Sequence, residues 1–306
     1  MARMDRESDG GFLGIDLSVR STREWIAGVA FAAPYVLIAA GFLFGPLLLG
    51  LYMSFFDWNP IVPGQSEFIG LENYRTLLSD PRFWEALKNT VYFVVLTVPA
   101  IVVGSLLLAL GVNRDVKGQW LLRTIFFSPY VLTVAVIGLL WNDLFSSSGL
   151  IPYYVGMITG NSGSWLNSHT LAMPAIAIAT VWWTIAFNFV ILLAARQNVP
   201  ERLYEAAKLD GASSWRMMRD VTIPQMKNPM IFVVITTFVS SFQVFGQPYI
   251  MTNGGPGSST TTIVMYLYTS AFASREFGYA AAIGYVLFMI LVAVSAFNFY
   301  YLGGDD

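Results

Sequence analysis

The sequence predicts an all-α integral membrane protein of six transmembrane helices, and three observations carry that fold class. Hydrophobic residues make up 56% of the 306 residues and charged residues only 12%, far from the usage of soluble domains. Uncharged apolar runs of roughly 20 residues, the length that spans a hydrocarbon core, recur along the chain. The positive charges gather in alternate connections between those runs. Because the runs are continuous rather than alternating, and hold Gly and Pro, they fit helices and not the strands of a barrel.

In chain order, residues 1–26 are expected as a cytoplasmic tail, since Arg3, Arg6, Arg20 and Arg23 precede the first span and do not resemble a short cleavable leader ahead of a soluble domain. Spans follow at about 27–55, 90–111, 124–141, 171–195, 229–250 and 279–301, with residues 303–306 as a C-terminal cytoplasmic tail. Arg114, Lys117 and Arg123 lie between the second and third spans, and Arg196, Arg202, Lys208, Arg216, Arg219 and Lys227 between the fourth and fifth. The alternate connections hold Arg75, Arg82 and Lys88, then none, then Arg275 alone. Positive charge marks the cytoplasmic side, so both termini and the 196–228 loop are expected inside.

Several function classes are excluded by counting. With no cysteine, disulfides and thiolate chemistry are absent, and His169 is the lone imidazole, too few for a histidine metal cluster or a catalytic triad. His169 is read as a loop residue with no metal role. No basic stripe interleaved with aromatics points to nucleic acid. No lysine is followed by Ser or Thr, so the chain has no phosphate loop and any ATP must be hydrolysed by a partner. The spans hold no Asp, Glu, Lys, Arg or His, which speaks against proton relays and ion-coupled transport and for a neutral cargo.

The 196–228 loop carries helix punctuation. Pro200 suits a first helical position, Glu201 the positive end of the helix dipole, and Gly211 the left-handed residue that ends a helix. Ser213 suits an N-cap before Ser214–Asp220, a second helix expected to stop at Pro224 and Pro229. Basic loops also rest on anionic headgroups. Here Ala206 and Ala207 beside Glu205, with Asp210 before Gly211, make a compact polar knob suited to a socket on another protein, whereas lipid insertion favours bulkier apolar groups.

Glu205-Ala206-Ala207, then Gly211, then Val221-Thr222-Ile223-Pro224 resembles the EAA loop of bacterial ABC importer permeases, with Val221 and Ile223 where that motif usually has Ile and Leu. Three further stretches resemble the maltose-type, carbohydrate-uptake branch. They are Phe68–Tyr74 with Asn89-Thr90, then Ser128-Pro129-Tyr130, then Thr252–Pro256 leading to Ala271-Phe272. The resemblance implies a maltose-permease-like fold in a bacterial or archaeal cell membrane. It also implies a heterodimer with a second homologous permease, an external or periplasmic solute-binding protein, and two ATPase subunits that hold ATP and Mg and grip Glu205, Ala206, Ala207, Asp210 and Gly211. No cofactor is expected in the chain itself.

A translocation path is expected on the fourth and fifth spans. Thr180, Thr184 and Asn188 recur every four residues beside Trp183 and Phe187, while Thr237, Ser240, Ser241 and Gln243 fall within two turns. Aromatic faces with hydroxyls and amides are what a sugar needs, although such hydroxyls also serve helix packing. By resemblance to maltose-type permeases, Tyr130, Trp182, Thr237 and Ser241 fall near sugar-contacting positions. Trp25, Trp58, Trp84, Trp141 and Trp165 sit near span ends and read as interfacial anchors. Asn253–Gly257 lacks a following lysine and reads as an external turn or binding-protein contact. Alternatives are a permease for glycerol phosphate or another polyol derivative, or a membrane-embedded enzyme, for which Asp143 stands nearly alone.

Overall fold

The computed structural model describes residues 19–112, 119–160 and 163–303. Most of the expected N-terminal tail, Arg114, Lys117 and the last three residues lie outside these. The chain forms two units, Met1–Tyr52 and Met53–Asp306.

In the first unit, α1 (Val19–Ala39), a π-helical turn Ala40–Phe44 and α2 (Gly45–Met53) run on as one apolar helix, with a span-length stretch from Glu24 to Met53. Phe31 and Phe42 are 89% and 84% exposed, and none of the spanning stretch is buried. A helix apolar on every side is suited to lipid.

The second unit opens with β1 (Phe56–Asp57) paired antiparallel to β2 (Glu67–Phe68), Phe56 opposite Phe68. Next come α3 (Glu72–Ser79) and α4 (Pro81–Gly111). The second span was expected from residue 90, yet its helix starts at Pro81. Asp80 caps it by accepting from the Arg82 N–H at 2.9 Å, Pro81 fits a position whose N–H is unused, and Phe83 and Ala86 bury the face below Arg82 and Glu85.

The third span differs more. The stretch 124–141 is not one helix: α5 (Gln119–Phe127) ends in a 3₁₀ turn at Ser128–Val131, and α6 (Val134–Phe145) restarts with Thr133 as its cap, followed by α7 (Leu150–Thr159). Pro129 donates no hydrogen bond and disfavours the helical conformation at Ser128, which explains the break. The segment long and apolar enough to span is Val134–Thr159.

α8 (Ala172–Gln197) matches the fourth span closely. The fifth is interrupted: α12 (Lys227–Phe242) and α13 (Gly246–Thr252) meet at a 42° bend. Between α8 and α12 lie α9 (Glu201–Leu209), α10 (Ser214–Met217), a π-helical turn Met218–Thr222 and α11 (Ile223–Gln225). α14 (Ile263–Tyr268), absent from the sequence expectation, precedes α15 (Phe277–Gly303). By length and composition, the described residues hold five spanning helices, or six with the bent pair as one.

Helix packing follows membrane rules. Ala172, Ala175, Ala179 and Ala186 are fully buried along α8, and small side chains let backbones approach where lipid leaves little hydrophobic drive between helices. Phe93, Phe145 and Ile176 fill one core cluster, while Phe189, Leu192, Met226 and Val233 fill another near α9.

The polar stretches around Asn73, Asn89 and Thr90 prove to be braces. Asn73 donates to the Ser54 and Phe56 carbonyls at 2.9 and 3.0 Å, and Tyr74 bonds Ser54 at 2.7 Å. Asn89 donates to the Ser258 and Thr261 carbonyls at 2.8 and 3.1 Å, and Thr90 accepts from the Ile263 N–H at 2.9 Å. These tie the Asn253–Thr262 turn to α4. Asp80 also accepts from the Tyr266 and Tyr279 hydroxyls. Burial pulls its carboxyl up, but the bonds from Tyr266, the Arg82 N–H and Tyr279, with the Arg82 charge, hold it below the usual value. A depressed carboxylate contributes stability above its unfolded pKa and loses it as pH falls through the lower folded one.

Candidate functional site

The two broken spans face one cavity. It has a volume of about 750 Å³, and α4, α8 and α12 wall it together with the interruptions at Ser128–Thr133 and Gln243–Phe245. A helix break at membrane depth is tolerated where the freed backbone lines a cavity, and such breaks mark transporter sites.

Eight of the nine expected path residues, Tyr130, Trp183, Thr184, Asn188, Thr237, Ser240, Ser241 and Gln243, line it. Tyr130 lies parallel to Phe187, with centroids 5.4 Å apart, and 6.3 Å from Trp183, whose indole N–H donates to the Leu132 carbonyl at 3.2 Å. This wall presents flat aromatic faces. Thr184, beside Trp183 on α8, and Ser240 on α12 donate to the carbonyls of Thr180 and Thr236 at 2.7 Å each. Their oxygens keep acceptor capacity for an incoming hydroxyl. Asn188 donates to Thr237 at 2.9 Å and Thr97 to Ser241 at 3.3 Å, which bind α8 and α4 to α12. Among the described residues, no charged side chain lines the cavity.

Trp182 is placed elsewhere. It stands edge-on to Trp141 at 5.6 Å, whereas Trp183, one residue on and turned by about a quarter of the helix circumference, faces the cavity. Trp141 and Trp165 each stack on Phe145 at 5.4 Å, so their rings pack within the protein rather than simply anchoring it. The sequence reading missed Phe93, Thr236, Val244, Phe245 and Gln247 on the cavity wall. The available signal was the pair of Gly- and Pro-interrupted apolar runs, Ser128-Pro129-Tyr130 and Phe245-Gly246-Gln247-Pro248.

The loop between α8 and α12 forms a helix, a glycine turn and a helix as expected. Pro200 takes the cap position, one residue before the predicted place. The Gly211 N–H bonds the Lys208 carbonyl at 3.0 Å and the Ala212 N–H the Ala207 carbonyl at 2.9 Å, a paired C-terminal closure with Gly211 at φ 72°. Ser213 caps α10 through the Arg216 N–H. Pro224 does not stop the second helix: the π turn Met218–Thr222 absorbs an extra residue and places Pro224 in the first turn of α11, where its missing N–H is harmless.

α9 shows two faces. Leu203 and Tyr204 pack inward, with the Tyr204 hydroxyl 2.9 Å from that of Thr222, itself 4% exposed. Glu205, Ala206 and Asp210 are exposed, Leu209 is 90% exposed, and Ala207 is half-buried. The outward side therefore presents Glu205 and Asp210 with the small Ala206 and the apolar Leu209.

The comparisons with known proteins agree with this fold. The solved structure of a bacterial ABC transporter that imports the acidic polysaccharide alginate superposes with a TM-score of 0.78 at 21% identity, covering 93% of this chain and 97% of that one. The sulfoquinovosyl glycerol transport system permease SmoG of Agrobacterium fabrum is 33% identical, over 89% of this chain and 88% of that protein. The lactose transport system permease LacF of Rhizobium radiobacter is 33% identical, over 90% and 93%. Residues 78–302 match the binding-protein-dependent transport system inner membrane component family. With that match and these relatives, the chain belongs to the family of inner membrane permease components of binding-protein-dependent ABC transport systems.

Proposed function

We propose that the chain forms half of the translocation path of an importer for neutral carbohydrate, opposite a second homologous permease. The observation that carries this reading is the uncharged cavity with the aromatic wall of Tyr130, Trp183 and Phe187 facing hydroxyls and amides. A sugar ring offers its C–H face to such aromatics and its hydroxyls to such polar groups, whereas a phosphate or carboxylate calls for a side-chain cation, which the described lining lacks. Two ATPase subunits supply the energy and grip the exposed face of α9, and a solute-binding protein delivers cargo on the other side.

The test compares adjacent tryptophans in the purified whole importer. Trp183→Ala lowers uptake about tenfold, the equivalent of ~1.4 kcal/mol of cargo contact, while Trp182→Ala lowers it far less. Equal loss in both, or normal uptake in Trp183→Ala, removes the cavity from the path. Screening sugars and polyol phosphates against the partner binding protein decides the cargo: binding of glycerol phosphate alone replaces the neutral-sugar reading.

The orientation proposed is both termini and the α9 loop in the cytoplasm, on the positive-charge asymmetry. The chain has no native cysteine, so single cysteines report cleanly. Ser258→Cys reacts with an impermeant maleimide in intact cells and Ser213→Cys only after lysis. Labelling of both from outside rejects the orientation.

A further inference from the structure

A second cavity, of about 620 Å³, lies behind α9, on the side away from its exposed carboxylate. Its apolar wall is Leu110, Val112 and Leu193, at the ends of α4 and α8. Among the described residues its polar lining carries two cations, Arg196 and Lys208, and one anion, Glu201, with the Tyr204 and Thr222 hydroxyls. Arg196 is held in place by donating through Nη1 to the carbonyls of Ala109 and Leu110 at 3.3 and 3.0 Å.

We propose that this cavity holds the phosphate headgroup of an anionic phospholipid from the adjoining leaflet. Three features select that ligand. The net positive wall calls for an anion, and basic pockets beside the cytoplasmic ends of membrane helices suit lipid phosphates. The cavity lies at the ends of α4 and α8, two helices of span length, and helices longer than the roughly 30 Å hydrocarbon core end in the headgroup layer. Leu110, whose carbonyl accepts from Arg196, and Leu193, three residues before it on α8, adjoin that cation, so a phosphate joined to a glycerol backbone and acyl chains meets both, while a small soluble phosphate ester leaves Leu110, Val112 and Leu193 bare.

Tyr204 and Lys208 are four residues apart on α9, so both belong to the face turned toward the cavity. A headgroup bound there ties α9 to the ends of α4 and α8. On the coupling role proposed for α9, cargo-stimulated ATP hydrolysis then depends on anionic lipid, but occupancy of the site does not depend on that role.

The experiment reads occupancy first. The purified importer is placed in nanodiscs of phosphatidylcholine with increasing phosphatidylglycerol, and retained lipid is counted by native mass spectrometry. The wild type keeps phosphatidylglycerol that Lys208→Gln loses, the half-saturating fraction rising about fivefold as expected for one lysine near an anionic surface, and Lys208→Arg restores it. Equal retention by wild type and Lys208→Gln overturns the site. Equal retention of phosphatidylcholine overturns the charge selection, and displacement by millimolar glycerol phosphate shows a soluble phosphate site in place of a lipid one. Because retention is measured without transport, loss of lipid selectivity in ATP hydrolysis alone rejects the coupling role of α9 and leaves the lipid site standing.

Discussion

Uptake is abolished in Glu205→Arg while the permease still folds and reaches the membrane. Glu205 is exposed on α9, so reversing its charge perturbs no internal contact of the described fold. If an ATPase covers this face, the carboxylate meets a basic group or backbone donor there. Truncating one member of a buried charged pair costs about 2 kcal/mol or more, roughly thirtyfold in affinity, and reversal adds repulsion. Gly211 provides a companion test with a different cause. A Cβ at Gly211 meets nothing within 4 Å, so any penalty there is conformational, arising from φ 72°. Gly211→Asn tolerates the left-handed region and keeps uptake, whereas Gly211→Val is strained by about 1–2 kcal/mol, loosening the closure that sets the Ala206–Gly211 turn, and lowers uptake about tenfold. The measurements are ATPase subunits retained on the purified permease, cargo-stimulated hydrolysis and uptake. Full uptake in Glu205→Arg and Gly211→Val means that α9 only lies on the membrane surface.

Gly278→Ala prevents the second unit from closing. A Cβ at Gly278 would stand 2.0 Å from the Phe56 carbonyl oxygen, 3.0 Å from that of Met53 and 3.1 Å from the Asn73 amide nitrogen. All three obstacles are backbone or a side chain already committed to backbone. Moving the strand aside breaks the Asn73 bonds to Ser54 and Phe56, each worth about 1 kcal/mol and more when the carbonyl is left buried. Overpacking of this kind costs about 1–3 kcal/mol by itself, so the sum is about 3–5 kcal/mol. Gly284→Ala is the control, since its Cβ meets only the movable Leu267 side chain at 3.2 Å. The check is the thermal midpoint and yield of detergent-solubilised protein. A Gly278→Ala midpoint equal to that of Gly284→Ala shows that the hairpin yields freely.

Much of the function was legible in local signals. Pro200, Gly211 and Ser213 act through their own backbone, so α9, its glycine turn and the α10 cap appear in the structure within a residue of their predicted places. The cavity was legible in outline because Thr184, Asn188, Thr237 and Ser240 are polar within apolar runs, where a hydroxyl or amide must find a partner. Where the reading failed, the competing signal was weak. α14 is six residues long, short enough to pass for a loop, and the first turns of α4 carry charges that a search for apolar runs discards.

The sequence by itself determined the apolar solvent, the all-α class and the helix–glycine–helix punctuation of the loop, because composition, apolar run length and backbone-limited residues act without distant partners. Only the tertiary structure decided which of two neighbouring aromatics faces the path. Trp182 and Trp183 are alike in type and neighbours in sequence, and in lipid both the packed and the lipid-facing sides of α8 are apolar, so no periodicity separates them. Likewise Asn73, Asn89 and Thr90 are ordinary polar residues until the chain folds, when each meets a backbone group more than 15 residues away.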